Sequence, residues 1–226
     1  MNFLSKTLFS GMTVFAIINV ANAGVVVGGT RVIYDGNKKE ASVAVNNPDT
    51  TPYLIQSWID TQNKDGDAGK IPFIITPPLY RLEGGQKNVE RIVLTGALPE
   101  NQESLYWLNI KAIPSAKRSD NSLQIAIKTR IKLIYRPTAL KDVSLDKEAE
   151  KLTWHKSSDQ IQVTNPSNYV MSFSEIVVNG TTVKNATYVL PNSTASFLSP
   201  GSGGGSVTFK IINDYGGVGD THRKNI

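Results

Sequence analysis

Between residues 25 and 135 apolar and polar positions alternate with a period of two, and β-branched residues crowd the apolar phase. That period belongs to pleated strands with one face buried. The segments that carry it are Val25–Tyr34, Glu40–Asn46, Tyr53–Asp60, Phe73–Thr76, Gln86–Thr95, Ser104–Ile113 and Leu123–Tyr135. Asn-Asn-Pro, Asp-Gly-Asp and Glu-Gly-Gly stand between them and supply turns. Seven strands in about 110 residues is the count of an immunoglobulin-like sandwich. No window holds a sustained apolar pattern at three- and four-residue spacing, so the fold class is all-β.

The pattern restarts after Tyr135-Arg136-Pro137, with shorter strands at Lys151–His155, Gln160–Thr164, Met171–Asn179, Val189, Ala195–Leu198 and Val207–Asn213. A second sandwich fits this half. Pro137 cannot donate to a ladder and disfavours helix before it, so residues 137–143 read as an interdomain connection. The glycine-rich stretch at 201–206 lacks the Gly-Lys-Ser/Thr ending of a phosphate-binding loop and reads as a turn. Asn179-Gly-Thr, Asn185-Ala-Thr and Asn192-Ser-Thr have the form of glycosylation sequons, but such triplets arise by chance in turns rich in Asn and Thr.

The first 23 residues change the picture of where the chain works. Lys6 precedes an apolar run from Leu8 to Val20, and Ala21-Asn22-Ala23 follows it. This is the pattern of a secretory signal peptide, too short to span a bilayer. The expected organisation is a signal at 1–23, one sandwich domain at 24–140 and a second at 141–226. The exported part carries 23 basic and 19 acidic residues. So small an excess, with no basic block, argues against a nucleic-acid partner, and no segment argues for membrane insertion. The chain has no cysteine, which removes disulfides, thiol catalysis and thiolate metal sites. Its two histidines, His155 and His222, are too few and too far apart for a zinc site.

The segment Leu123–Tyr135 alternates for 13 residues, roughly 40 Å of strand where five or six residues are usual. A strand of that length outruns its own sheet and leaves Leu123, Ile125 and Ile127 to something else, unless they are simply buried in the core. Periodicity alone does not choose between these two readings.

Residues 98–114, LPENQESLYWLNIKAIP, closely resemble the signature of periplasmic pilus chaperones of the bacterial chaperone/usher pathway. Further pieces resemble the same family in the same order: Gly29–Tyr34, Gln56–Trp58, Phe73–Leu82, Ile131–Pro137 and Ile212–Gly217. The resemblance implies two immunoglobulin-like domains at an angle around a cleft, with no enzymatic activity and no cofactor. Its implied partners are pilus or fimbrial subunits and the outer-membrane usher, and free copies could associate through the same strand.

The resemblance also assigns residues. Arg31 and Lys132 correspond to the pair of cleft cations that anchor the subunit's C-terminal carboxylate. Leu123, Ile125 and Ile127 correspond to the donor-strand side chains that enter the subunit's open groove. Simple alternation sets Lys132 on the face opposite Ile127, so joining them in one site calls for strand twist or a bulge. Glu103, Arg136 and Asp214 correspond to an interdomain salt-bridge network. The short connection at 115–122 resembles the branch that serves rod-like, adhesive pili.

Other classes fit less well. A fibre subunit would be expected to carry a cysteine pair and an aromatic C-terminal motif, whereas this chain ends Thr221-His-Arg-Lys-Asn-Ile226. An exported sugar- or protein-binding sandwich explains neither the long strand nor the signature. A hydrolase would need a nucleophile with its base, yet there is no Gly-x-Ser-x-Gly and no His-Glu-x-x-His.

Overall fold

A computed structural model describes residues 24–61, 71–115, 123–199, 201 and 204–226. The expected signal peptide, the expected Asp-Gly-Asp turn, residues 116–122 of the short connection and residues 202–203 of the glycine-rich turn lie outside the described residues.

The first half forms β1 (Val26–Val27), β2 (Arg31–Asp35), β3 (Ala41–Asn46), β4 (Tyr53–Asp60), β5 (Phe73–Thr76), β6 (Leu79–Leu82), β7 (Lys87–Leu94), β8 (Ser104–Pro114) and β9 (Ile127–Arg136). They make two sheets, ordered β1-β3-β7-β5 and β2-β9-β8-β4-β6. The apolar phase of each strand meets the other sheet: Val43, Val45, Ile55, Ile92, Leu108 and Leu133 are almost fully buried in one core.

The expected strand Val25–Tyr34 is two strands in two sheets. β1 runs antiparallel to β3, whereas β2 runs parallel to β9. The crossing is made at Gly28-Gly29, where Gly29 has φ +127 and a Cβ on Gly28 would meet Ala44 at 3.1 Å. Neither position suits a larger residue.

The second half begins with a five-residue helix, α1 (Leu145–Ala149). It continues with β10 (Thr153–Ser157), β11 (Gln160–Asn165), β12 (Met171–Val178), β13 (Thr181–Thr182), β14 (Tyr188–Val189), β15 (Ser193–Leu198), β16 (Ser206–Ile212) and β17 (Val218–Asn225). One sheet is β10-β11-β15; the other is β13-β12-β16-β17, with β14 also paired to β12. Leu152, Ile161, Phe173, Ile176 and Phe209 centre a second core. Asn179, Asn185 and Asn192, the three sequon asparagines, all have positive φ and sit in turns.

Sequence reasoning missed β6, the two-residue β13, β17 and the short helix α1. Of β17 only His222 is buried, so its polar run Val-Gly-Asp-Thr-His-Arg-Lys-Asn shows no apolar phase. The strand is recruited by backbone pairing with β16. His222 stacks on Phe209 and contacts Glu150 Oε1 at 2.7 Å and Asp146 Oδ1 at 3.3 Å.

The long strand is shorter than expected. Pairing stops at Ile127, which faces Ala112 of β8, and Leu123–Ala126 lie outside the ladder. β8 itself runs on to Pro114, held by β4, so the ladder between β8 and β9 opens before β8 ends.

Candidate functional site

Alternation along β9 decides what each of its faces can do. Ile131, Leu133 and Tyr135 point into the first core and are at most 8% exposed. Ile127, Ile125 and Leu123 continue that phase past the end of the sandwich and are 55%, 64% and 85% exposed. They form an apolar row about 13 Å long. Beyond it, β9 has a free edge: β8 covers one side along Ile127–Tyr135, but β2 covers the other only from Lys132 onward. Among the described residues, the β2 side of Ile127–Ile131 meets no strand.

The opposite phase of β9 faces the second domain. Arg31 lies beside Lys132 in the parallel pairing of β2 and β9, and Lys132 lies beside Trp107 of β8. The β8–β9 register has no shift. Of the strand twist or bulge that the sequence called for, no bulge interrupts this pairing, and the two cations lie on the face opposite Ile127, where alternation sets them.

Arg31 Nη1 donates to the Ile212 carbonyl of the second domain at 3.1 Å, while the buried Nε has no hydrogen-bond partner among the described residues. Burial lowers the Arg31 guanidinium, and the nearby Asp214 and Glu103 carboxylates pull it back. Burial, and then the Arg31 charge, lower the Lys132 ammonium to about 8. Two half-buried cations side by side suit an anion chemically: a carboxylate placed between them would relieve their repulsion and accept charge-assisted hydrogen bonds of about 1.5–3 kcal/mol each.

Glu103, Arg136 and Asp214 meet where the domains join. Arg136 Nε donates to Glu103 Oε1 at 2.6 Å, Nη2 donates to Asp214 Oδ1 at 2.8 Å, and Nη1 pairs with Asp214 Oδ2. Glu103 Oε2 accepts from the Val170 amide at 2.7 Å, and the Glu103 amide donates to the Asn168 carbonyl. Burial raises the Glu103 carboxyl; Arg136 and the Val170 amide oppose the rise. Leu105 and Ile134 pack against Val170 beside this network, so the joint is both ionic and apolar.

Sequence reasoning assigned no role to the aromatic residues of the cleft. Arg130 lies 4.4 Å from the Trp107 ring and pairs with Asp60 at 2.9 Å; Lys128 lies 5.8 Å from Trp58. The Lys132 ammonium faces both Trp107, at 5.4 Å, and Tyr188 of the second domain, at 5.3 Å. Trp107 stands in the quoted signature, but nothing in the polar run before Tyr188 marks it as a neighbour of Lys132. Among the described residues no group of three or more His, Asp or Glu could hold a metal ion, and no helix is long and apolar enough to cross a membrane.

Two immunoglobulin-like sandwiches joined by a buried ion network, with an apolar strand edge left open beside a cationic cleft, define a class of strand-presenting two-domain proteins. Residues 24–141 match the family described as pili and flagellar-assembly chaperone, PapD N-terminal domain, and residues 147–223 match pili assembly chaperone PapD, C-terminal domain. The chain belongs to this family of pilus-assembly chaperones. It is 44% identical to chaperone protein LpfB of Salmonella typhimurium, over 98% of this chain and 99% of that one. Identity to chaperone protein FimC of Escherichia coli K12 is 39%, over 93% and 89%. Among solved structures it resembles a chain of the Salmonella enterica SafA pilin–SafB chaperone complex, with TM-score 0.82, 32% identity and coverage of 91% and 97%. The periplasmic chaperone SfaE follows at TM-score 0.75 and 36% identity, over 88% and 98%.

Proposed function

We propose that the chain works in the periplasm, completing unfinished pilus subunits with its own β9 extension and passing them to the outer-membrane usher. Leu123, Ile125 and Ile127 enter the groove that a missing strand leaves in the subunit, where each buried aliphatic chain contributes about 1.5–3 kcal/mol. The free edge of β9 pairs with the subunit's backbone. Arg31 and Lys132 hold the subunit's terminal carboxylate and so fix its register, from the other face of the same strand.

The observation that carries this reading is the exposed apolar row of Leu123, Ile125 and Ile127, in phase with a buried core and continuous with a strand edge that, among the described residues, meets no strand on its β2 side. A monomeric protein normally blunts such an edge. The similarity to SafB, a chaperone found in complex with a pilin, supports the same conclusion. The name of SfaE and the signal-like pattern before Gly24 support export to the periplasm, with domains at 24–140 and 141–226. Release by exchanging one strand for another needs neither catalysis nor a cofactor. The same edge gives free copies a route to associate.

Coexpression with a candidate pilus subunit tests the proposal. The subunit should be recovered as a soluble one-to-one complex, and Arg31→Ala or Ile125→Asp should each reduce recovery at least about tenfold, the equivalent of 1.4 kcal/mol, while the free protein stays folded. Undiminished capture by Ile125→Asp would overturn the strand-lending role.

A further inference from the structure

Lys132 is poorly provided for as a cation. It is half-buried and has Arg31 beside it on β2. Among the described residues no carboxylate pairs with its ammonium. Asp60, in the same row on β4, is already held by Arg130 and Asn109, each at 2.9 Å. Glu103 and Asp214 are held by Arg136. Arg130 and Lys128, the next residues of this phase on β9, are themselves positive. What faces the ammonium instead is a pair of rings, one from each domain: Trp107 of β8 and Tyr188 of β14. Their centroids are 6.0 Å apart at 62°, and the ammonium lies 5.4 and 5.3 Å from them. Both distances fall within the range at which the negative face of a ring attracts a cation, most strongly where water is excluded.

We propose that Trp107 and Tyr188 clamp the Lys132 ammonium between the two domains and keep it charged in the cleft, making Tyr188 a positioning residue for the carboxylate anchor. The inference deepens the anchoring role given above and rests on it for its consequence. Because one ring belongs to the second domain, the strength of the anchor depends on how the domains are set against each other. A change at the interdomain joint would then weaken carboxylate binding without touching Arg31 or Lys132. The charged form of Lys132 predominates below pH 8 and is lost above it, so anchoring should weaken as pH rises through that value.

The test is to titrate Lys132 by NMR in the lysine-labelled full-length mature protein, identifying its signal with Lys132→Arg. The free wild-type lysine should titrate near 8. Tyr188→Leu, which keeps the apolar bulk but removes the ring, should lower the midpoint by about one pH unit, and Tyr188→Phe should leave it unchanged. Trp107→Leu reports the same clamp from the first domain if the Tyr188 variant does not fold. Equal midpoints in wild type and the leucine variants would overturn the clamp. A short peptide with a free C-terminal carboxylate, compared with its amide, separates the two ideas. If the carboxylate peptide fails to raise the Lys132 midpoint in wild type while the leucine variants lower it, the anchor role falls and the clamp stands. If it raises that midpoint but the leucine variants match wild type, the anchor stands and the clamp falls.

Discussion

Glu90 lies wholly inside the first sandwich. Its Oε1 accepts hydrogen bonds from Ser57 Oγ at 2.6 Å and Tyr80 OH at 3.0 Å, while Oε2 has no partner among the described residues. Burial raises its carboxyl, and the Ser57 and Tyr80 hydroxyls only partly offset this. The folded protein therefore keeps a proton that the unfolded chain has already released. The sign follows: stability is greatest below the ordinary carboxylate range and falls as pH rises through the raised value, by about 1.4 kcal/mol for each pH unit between the two. Glu90→Gln keeps an acceptor for both hydroxyls and removes the titration. Urea unfolding should find this variant at least as stable as wild type at pH 7, with a flatter pH profile above the ordinary carboxylate range. Glu90 shares the phase of Ile92 on β7, the one sign in the sequence that it points inward. Nothing in the sequence says that its partners are hydroxyls on other strands.

Strand β9 shows how one apolar phase can serve two purposes within a single element. Leu133 and Ile125 point to the same face, yet Leu133 has no exposure and Ile125 is mostly exposed. Leu133→Ala should cost about 2–5 kcal/mol, because it removes packed atoms and leaves a cavity. Ile125→Asp should change the stability of the free protein by no more than about 0.5 kcal/mol, the usual range for a surface site. Thermal melting of the two variants checks the contrast; a large destabilisation by Ile125→Asp would place that side chain inside its own core. Sequence reasoning found the phase of this strand but set its start four residues too early, at Leu123 rather than Ile127. It could not find where pairing stops, because that depends on where β2 and β8 begin and end beside it.

At the scale of the molecule, Arg136 is the residue on which the two domains converge. It sits at the end of β9, is buried, and joins Glu103 of the first domain to Asp214 of the second. Arg136→Ala would leave Glu103 as a buried charge without its cation, and breaking such a pair costs about 3–5 kcal/mol. The expected outcome is a lower denaturant midpoint and a wider distribution of interdomain distances, read by two spin labels, one on each domain. An unchanged midpoint with unchanged distances would mean that the apolar contact of Leu105, Ile134 and Val170 holds the joint alone. The network spans residues 103 to 214, a separation over which no periodicity or spacing carries information.

The sequence by itself determined the two β domains, the inward phase of nearly every strand and the excess length of the apolar run at 123–135. Alternation is a local property, and two residues along a strand settle which face is apolar. Tertiary structure alone decided that the chain changes sheets at Gly28-Gly29, that the polar segment 218–225 is a strand, that the pairing of β9 starts only at Ile127, and that Lys132 meets a tyrosine of the other domain. Each of these depends on which distant segments come to lie side by side, and backbone pairing and ring contacts between such segments leave no periodic trace in the residues that make them.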